Sequence, residues 1–300
     1  MEVIRARVLG FCMGVRRAVE LAEAELTLKA VRAMGPLIHN PRVLASLEGR
    51  GLGILDEAAL PPDLGGLTVI LRAHGVSPVL EKELRRRHAA LVDATCPRVK
   101  KNQLKARSLE EAGFSLFIAG ERRHGEVAGL RGYAPQALVV SCPEEASLAA
   151  AGLARERPAA RTALIGQTTI DAEEYRRIAE AIRRYFPGLA VVDSICPATA
   201  ERRDALRELC PRVDALVIAG GRSSSNTRCL LDIARSLGKP AWLVESAAEI
   251  DTAALTGPGT AGFKTVGLSA GASTPESDIA EIEAALAALP PPVEAHTCRA

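Results

Sequence analysis

One local pattern occurs three times along this chain, and it constrains the fold more than any other feature. Cys12 follows Val-Ile-Arg-Ala-Arg-Val-Leu-Gly-Phe, Cys96 follows Ala-Ala-Leu-Val-Asp-Ala-Thr, and Cys196 follows Leu-Ala-Val-Val-Asp-Ser-Ile. At each cysteine a β-branched apolar run stops and an Arg/Lys-rich amphipathic pattern begins. The last two copies are near-duplicates, Val92-Asp93-x-x-Cys96-Pro97 and Val192-Asp193-x-x-Cys196-Pro197. Such a strand-to-helix unit buries too little apolar surface alone, so its copies must pack together.

The rest of the chain follows the same alternation. Short apolar runs predict strands over Val3–Leu9, Thr68–Arg72, Ala90–Asp93, Ser115–Ala119, Ala137–Val140, Thr162–Ile165, Val191–Asp193, Ala215–Ala219, Ala241–Val244 and Thr265–Leu268. Helical periodicity covers Val15–Ala30, Pro78–His88, Val99–Ala112, Ala172–Phe186, Ala200–Leu209, Ser225–Leu237 and Pro275–Leu289. Strands alternating with helices argue for parallel α/β units. Two further sets of loops repeat with the cysteines. One set is Arg72-Ala73-His74-Gly75, Gly120-Glu121-Arg122-Arg123-His124-Gly125 and Gly220-Gly221-Arg222-Ser223-Ser224-Ser225-Asn226. The other is Ile38-His39-Asn40-Pro41, Gly166-Gln167-Thr168-Thr169 and Ala270-Gly271-Ala272-Ser273-Thr274. Each third of the chain thus supplies one cysteine loop and two polar loops at strand carboxyl ends, where open parallel sheets bind ligands. Three such sheets facing one axis would place nine loops around one pocket. The expected division is 1–96, 97–194 and 195–285, with a tail over 286–300.

Three converging thiols form a soft donor set, which suits an iron–sulfur cluster with one iron lacking a protein ligand. The other cysteines, Cys142, Cys210, Cys229 and Cys298, lack the repeated context. The polar loops are rich in anion donors. Ser223 to Asn226 precede a helical run, where hydroxyls and free backbone N–H groups suit phosphate. His39, His74 and His124 all fall on these loops, and Glu126 places a carboxylate beside His124, a pairing suited to proton transfer.

The charge balance, 38 basic against 36 acidic residues, gives no general affinity for polyanions, and 3% aromatics leave little for stacking on bases. Nucleic acid is therefore not an expected partner. No apolar run reaches the length of a membrane span, no leader pattern is visible, and seven cysteines without disulfide spacing fit a reducing cytoplasm. No Gly-x-Gly-x-x-Gly after a strand, P-loop, His-Glu-x-x-His or Cys-x-x-Cys occurs, which removes the corresponding nucleotide, zinc-protease and thioredoxin-like readings.

From Val3 to about Ala285 the chain resembles the 4-hydroxy-3-methylbut-2-enyl diphosphate reductase family of LytB type. The resemblance rests on Gly10-Phe11-Cys12-x-Gly14-Val15, Ala73-His74-Gly75-Val76-Ser77, Asp93-Ala94-Thr95-Cys96-Pro97, Gln167-Thr168-Thr169, Ser224-Ser225-Asn226 and Ala270-Gly271-Ala272-Ser273. It implies a trefoil of three pseudo-symmetric α/β domains, each with a small, mostly parallel sheet, around a central [4Fe–4S] cluster. It also implies that Cys12, Cys96 and Cys196 are the cluster ligands. An allylic diphosphate would be held by His39, His74, His124, Ser224, Ser225, Asn226 and Ser273. Glu126 would donate the proton, with Thr168 in the relay, and flavodoxin or ferredoxin would bring electrons. The chain departs from the family pattern at Gly125 (usually proline), Gly166, Pro197, Arg203 and Thr227. Three rival readings stay open at this point: a paralogue with another substrate, a three-cysteine cluster dehydratase similar to quinolinate synthase, and a non-catalytic cluster sensor. A dehydratase of that type would bind carboxylates, and a sensor has no use for Glu126 with Thr168.

Overall fold

The computed structural model describes residues 1–27, 30–257 and 263–290. In chain order the strands are β1 (Glu2–Arg5), β2 (Val31–Met34), β3 (Gly53–Leu55), β4 (Thr68–Leu71), β5 (Ala90–Asp93), β6 (Ser115–Ala119), β7 (Leu138–Val140), β8 (Thr162–Gly166), β9 (Ala190–Val191), β10 (Ala215–Ala219), β11 (Ala241–Val244) and β12 (Thr265–Ala270). The α-helices are α1 (Met13–Leu26), α2 (Pro41–Gly49), α3 (Pro78–Arg86), α4 (Pro97–Glu111), α5 (Gly125–Tyr133), α6 (Pro143–Glu156), α7 (Ala172–Arg183), α8 (Pro197–Leu209), α9 (Ser225–Ser236), α10 (Thr252–Thr256) and α11 (Glu276–Ala287). Among the described residues no helix is long and apolar enough to cross a membrane. The expected helix ending at Ala30 stops at Leu26, and residues 28–29 lie outside the described residues, as do 291–300 of the expected tail and Cys298 within it.

The chain forms two compact units. One comprises Met1–Cys12, His39–Val43 and the chain from Pro197 on; the other comprises Met13–Ile38 and Leu44–Cys196. The second unit holds two four-stranded sheets, ordered β3-β2-β4-β5 and β7-β6-β8-β9, and the first unit holds one, ordered β11-β10-β12-β1. Every strand pair is parallel. The central strands β4, β8 and β10 are buried at every residue. That is why they read as unbroken apolar runs: both faces of a parallel sheet are covered. Phe117, Leu164, Ile178 and Ile182 pack one such layer, and Leu206, Leu216, Ile218 and Leu230 another.

All three sheets share one order, second strand, first, third, fourth, and in the first unit the fourth place is taken by β1. Residues 1–12 therefore do not sit in a first domain with residues 31–96, contrary to the sequence expectation. β1 pairs with β12, Glu2 against Thr265 through Arg5 against Leu268. Parallel pairing is non-local, so chain order alone does not assign an edge strand to its sheet. We propose three domains, one per sheet, with β1 counted in the last.

The hydrogen bonds after each strand repeat threefold. The glycine that ends each first strand donates its N–H to the end of the second strand: Gly35 to Leu55 O, Gly120 to Val140 O and Gly220 to Val244 O, at 3.0, 3.0 and 2.9 Å. All three glycines have positive φ, +70°, +156° and +138°, a backbone that a side chain would strain. This equivalence corrects the sequence grouping of the loops. The His39 loop follows a first strand, β2, and matches the His124 and Ser224 loops, whereas the His74 loop follows a third strand and matches those of Thr168 and Ser273. The apolar pair Leu37-Ile38 directly before His39 reads as a strand end, although β2 stops at Met34, which disguised the match.

Candidate active site

In this strand order the direction of the connections reverses between the first and third strands, and ligands bind beyond the carboxyl ends at such a switch point. His39, His124 and Ser224 each stand four residues beyond the turn glycine of a first strand, and His74, Thr168 and Ser273 follow third strands. The cysteines follow the fourth strands. Each cysteine donates its backbone N–H to a carbonyl two residues past the end of the third strand: Cys12 to Ala272 O at 3.0 Å, Cys96 to Ala73 O at 2.9 Å and Cys196 to Thr168 O at 2.9 Å. One backbone device thus fixes all three thiol loops against the polar loops.

The thiols are half-buried and free of disulfides, and α1, α4 and α8 begin at the next residue. The space around one of them is kept open by a missing side chain. A Cβ on Gly14 would lie 2.5 Å from Cys96 Sγ, so glycine is required there. Three soft donors in equivalent backbone settings, one in a cradle that even a methyl group would fill, suit an iron–sulfur cluster. Cys142, Cys210 and Cys229 occupy none of these places: Cys142 follows the second strand β7 and precedes α6, Cys210 is buried in a core, and Cys229 lies within α9.

In the larger unit Glu126 is the second residue of α5 and only 1% exposed. Thr168 donates to it twice, backbone N–H to Oε1 and Oγ1–H to Oε2, each at 2.8 Å. Burial disfavours the carboxylate more than these two donors favour it, and the carboxyl is pushed up to about 7. His124 Nδ1 accepts the Glu126 backbone N–H at 3.2 Å and so caps α5. With Nδ1 as acceptor, Nε2 carries the ring proton and can donate. The His74 ring meets the His124 ring edge-on, centroids 5.1 Å apart.

In the smaller unit Ser224 caps α9, its Oγ accepting the Thr227 N–H at 3.3 Å. Asn226 is the second residue of α9. That side chain is 2% exposed, and neither Oδ1 nor Nδ2 has a hydrogen-bond partner among the described residues. A buried amide without partners costs about 1–3 kcal/mol, so it calls for a ligand. Ser225 opens α9 half-buried beside it. Ser273 Oγ donates to His39 O at 2.9 Å, while Asn40 Nδ2 donates to Ser273 O at 2.8 Å. These bonds tie the His39 and Ser273 loops together. Gly221 is needed at the same place, because a Cβ there would lie 2.8 Å from His39 O.

Two supporting residues were not singled out from the sequence. Asn40 caps α2 through the Arg42 and Val43 N–H groups; the Asn-Pro pair at a helix start was its available signal. Gln103, fully buried in α4, donates to His74 O at 3.3 Å, and a Cβ on Gly129 would lie 2.8 Å from its Nε2. Nothing in a mid-helix glutamine announces this.

Residues 3–287 match the family model described as LytB protein. A relative from Treponema pallidum (strain Nichols), named 4-hydroxy-3-methylbut-2-enyl diphosphate reductase, is 41% identical over 95% of this chain and 83% of its own length. One of the same name from Solidesulfovibrio magneticus is 39% identical over 95% and 99%. The solved structure of the E-1-hydroxy-2-methyl-but-2-enyl-4-diphosphate reductase from Plasmodium falciparum superposes with a TM-score of 0.85 at 25% identity, covering 96% of this chain and 89% of that one. A second, described as (E)-4-hydroxy-3-methyl-but-2-enyl diphosphate reductase, the terminal enzyme of the non-mevalonate pathway, gives 0.68 at 33% identity over 95% and 99%.

Proposed function

Because the chain belongs to the LytB protein family, we propose that it reduces 4-hydroxy-3-methylbut-2-enyl diphosphate to isopentenyl and dimethylallyl diphosphate. The balance is simple: the allylic C–O bond breaks, a C–H bond forms, and two electrons and two protons are consumed as water leaves. When bound by Cys12, Cys96 and Cys196, a [4Fe–4S] cluster with one iron lacking a protein ligand supplies Lewis acidity toward the hydroxyl and passes on the two electrons. An external carrier such as flavodoxin or ferredoxin provides them.

The chain's own residues do the rest. The diphosphate is held by His39, His74, His124, Ser224, Ser225, Asn226 and Ser273, whose N–H and O–H groups are donors suited to an ionised acceptor. The buried Asn226 amide gains the partner it lacks, and Nε2 of His124 donates in the tautomer its capping bond selects. Holding the diphosphate fixes the far end of a five-carbon ligand and turns delivery of the reacting end into an intramolecular step. Glu126 holds a proton near neutral pH, and Thr168 Oγ1, 2.8 Å away, relays it when the hydroxyl turns.

The observation that carries this reading is Glu126 itself: a fully buried carboxyl, protonatable at about pH 7 and bonded to Thr168. A cluster sensor has no need of it. Glu126→Gln keeps the shape and removes the ionisable proton. Turnover in this variant falls by ~100-fold or more while inorganic diphosphate still binds; turnover near wild type would assign the proton to another group.

A further inference from the structure

Many surface arginines of this chain are paired with carboxylates: Arg85 with Glu81, Arg87 with Glu83, Arg122 with Glu145 and Arg177 with Glu174. Others, such as Arg131, Arg155 and Arg183, are exposed without an ion pair among the described residues, and one helix face gathers such cations together. Helix α4 starts directly after Cys96 and carries Arg98, Lys100, Lys101, Lys105 and Arg107 before its first acidic residue, Glu110. Two of these are engaged. Lys100 Nζ donates to Tyr133 Oη at 3.0 Å and lies 3.4 Å from Asp93, and Arg107 stands over the Tyr133 ring at 4.8 Å. Arg98, Lys101 and Lys105 are exposed on one stripe of the helix with Leu104, itself 49% exposed, and have no ion pair among the described residues.

Helix α1 adds to this face. Its Gly14 packs against Cys96, and Arg17 donates to Asp93 O at 3.0 Å and Thr95 O at 3.3 Å. The first turns of α1 and α4 therefore meet at Cys96, and Met13, 56% exposed, and the exposed Arg16 come to the same end. Neither helix has an acidic residue in its first turn. Cations there oppose the helix dipole, which favours anions at an N-terminus. A sequence that breaks a local rule in two adjoining places points to function rather than stability.

We infer that Met13, Arg16, Arg98, Lys101, Leu104 and Lys105 form the docking surface for a small acidic one-electron carrier protein. The inference rests on the reductase reading, which needs two electrons from outside for each product. The carrier docks twice per turnover, is oxidised by one electron each time, and delivers it beside Cys96. Unpaired cations steer an anionic partner and make the association depend on ionic strength. The two exposed apolar side chains give the contact its dry part, and methionine and arginine are residues that interfaces favour.

The test compares two reductants on the cluster-loaded enzyme: a reduced acidic flavodoxin and reduced methyl viologen, which needs no docking surface. In the double variant Lys101→Glu/Lys105→Glu, and separately in Arg98→Glu, KM for flavodoxin rises by about tenfold or more. The salt dependence of the flavodoxin reaction flattens, while iron content and viologen-driven turnover stay at wild-type values. An unchanged flavodoxin KM overturns the inference. So does an equal loss with both donors, which would mark a structural role. A wild-type enzyme inactive with viologen as well would sink the reductase reading, and the docking surface with it.

Discussion

At the scale of single residues, the sequence named Glu126 for the carboxylate beside His124, but its value as an acid comes from burial that only tertiary packing supplies. The consequence is measurable in the folded, cluster-free protein. Its carboxyl is raised from 4.5 to about 7, so the folded chain holds this proton more tightly than the unfolded chain does. The stability it confers is complete below about pH 4.5 and declines as pH rises through about 7, by up to ~1.4 kcal/mol per pH unit. Denaturant titrations across that range should show this slope in the wild type and its loss in Glu126→Gln; equal slopes would contradict the buried-acid account. Asn226 separates two roles in the same way. Were it only part of a helix start, Asn226→Ala would cost about 1 kcal/mol or less and leave ligand affinity alone. A grip on phosphate is worth roughly 1.5–3 kcal/mol, so calorimetric titration with inorganic diphosphate should show a loss of about tenfold to a hundredfold.

Among elements, the cysteine repeat was legible because a strand, a thiol and a helix start are adjacent in sequence. What the repeat concealed was partnership: β1 joins β12 across some 260 residues, and no local pattern records that. The helices α2, α5, α6 and α10 were also missed. The first two start inside the polar loops, where His124 reads as a ligand and hides its capping role, and where the cap Asn40 passed unnoticed. Gly125 offers a test at this scale. It is the first residue of α5, His124 before it is extended at φ −73° and ψ 136°, and a Cβ on it would lie 3.4 Å from Arg72 Cζ. Proline suits a first helical position behind an extended residue. Gly125→Pro should therefore stabilise the protein by about 0.4–1 kcal/mol, read as a higher denaturant midpoint with activity retained. A lower midpoint would show that the loop needs glycine.

For the whole molecule, three sheets of one strand order place every residue proposed for the site after a first, third or fourth strand. The sequence carried the loops and their number. It did not carry the order of strands, because parallel neighbours are set by packing between distant segments. The same order makes the ligand assignment sharp. Serine at Cys12, Cys96 or Cys196 should abolish full iron and sulfide incorporation, whereas serine at Cys142, Cys210 or Cys229 should leave it intact, by analysis of the purified, anaerobically loaded variants. Full loading of Cys96→Ser would refute the three-ligand assignment. The central claim is the reaction itself, and product analysis tests it most directly. Anaerobically loaded protein, given 4-hydroxy-3-methylbut-2-enyl diphosphate and reduced methyl viologen, should yield isopentenyl and dimethylallyl diphosphate with two electrons consumed for each molecule formed. Loaded protein that leaves this substrate unchanged, or converts it without consuming electrons, would contradict the account.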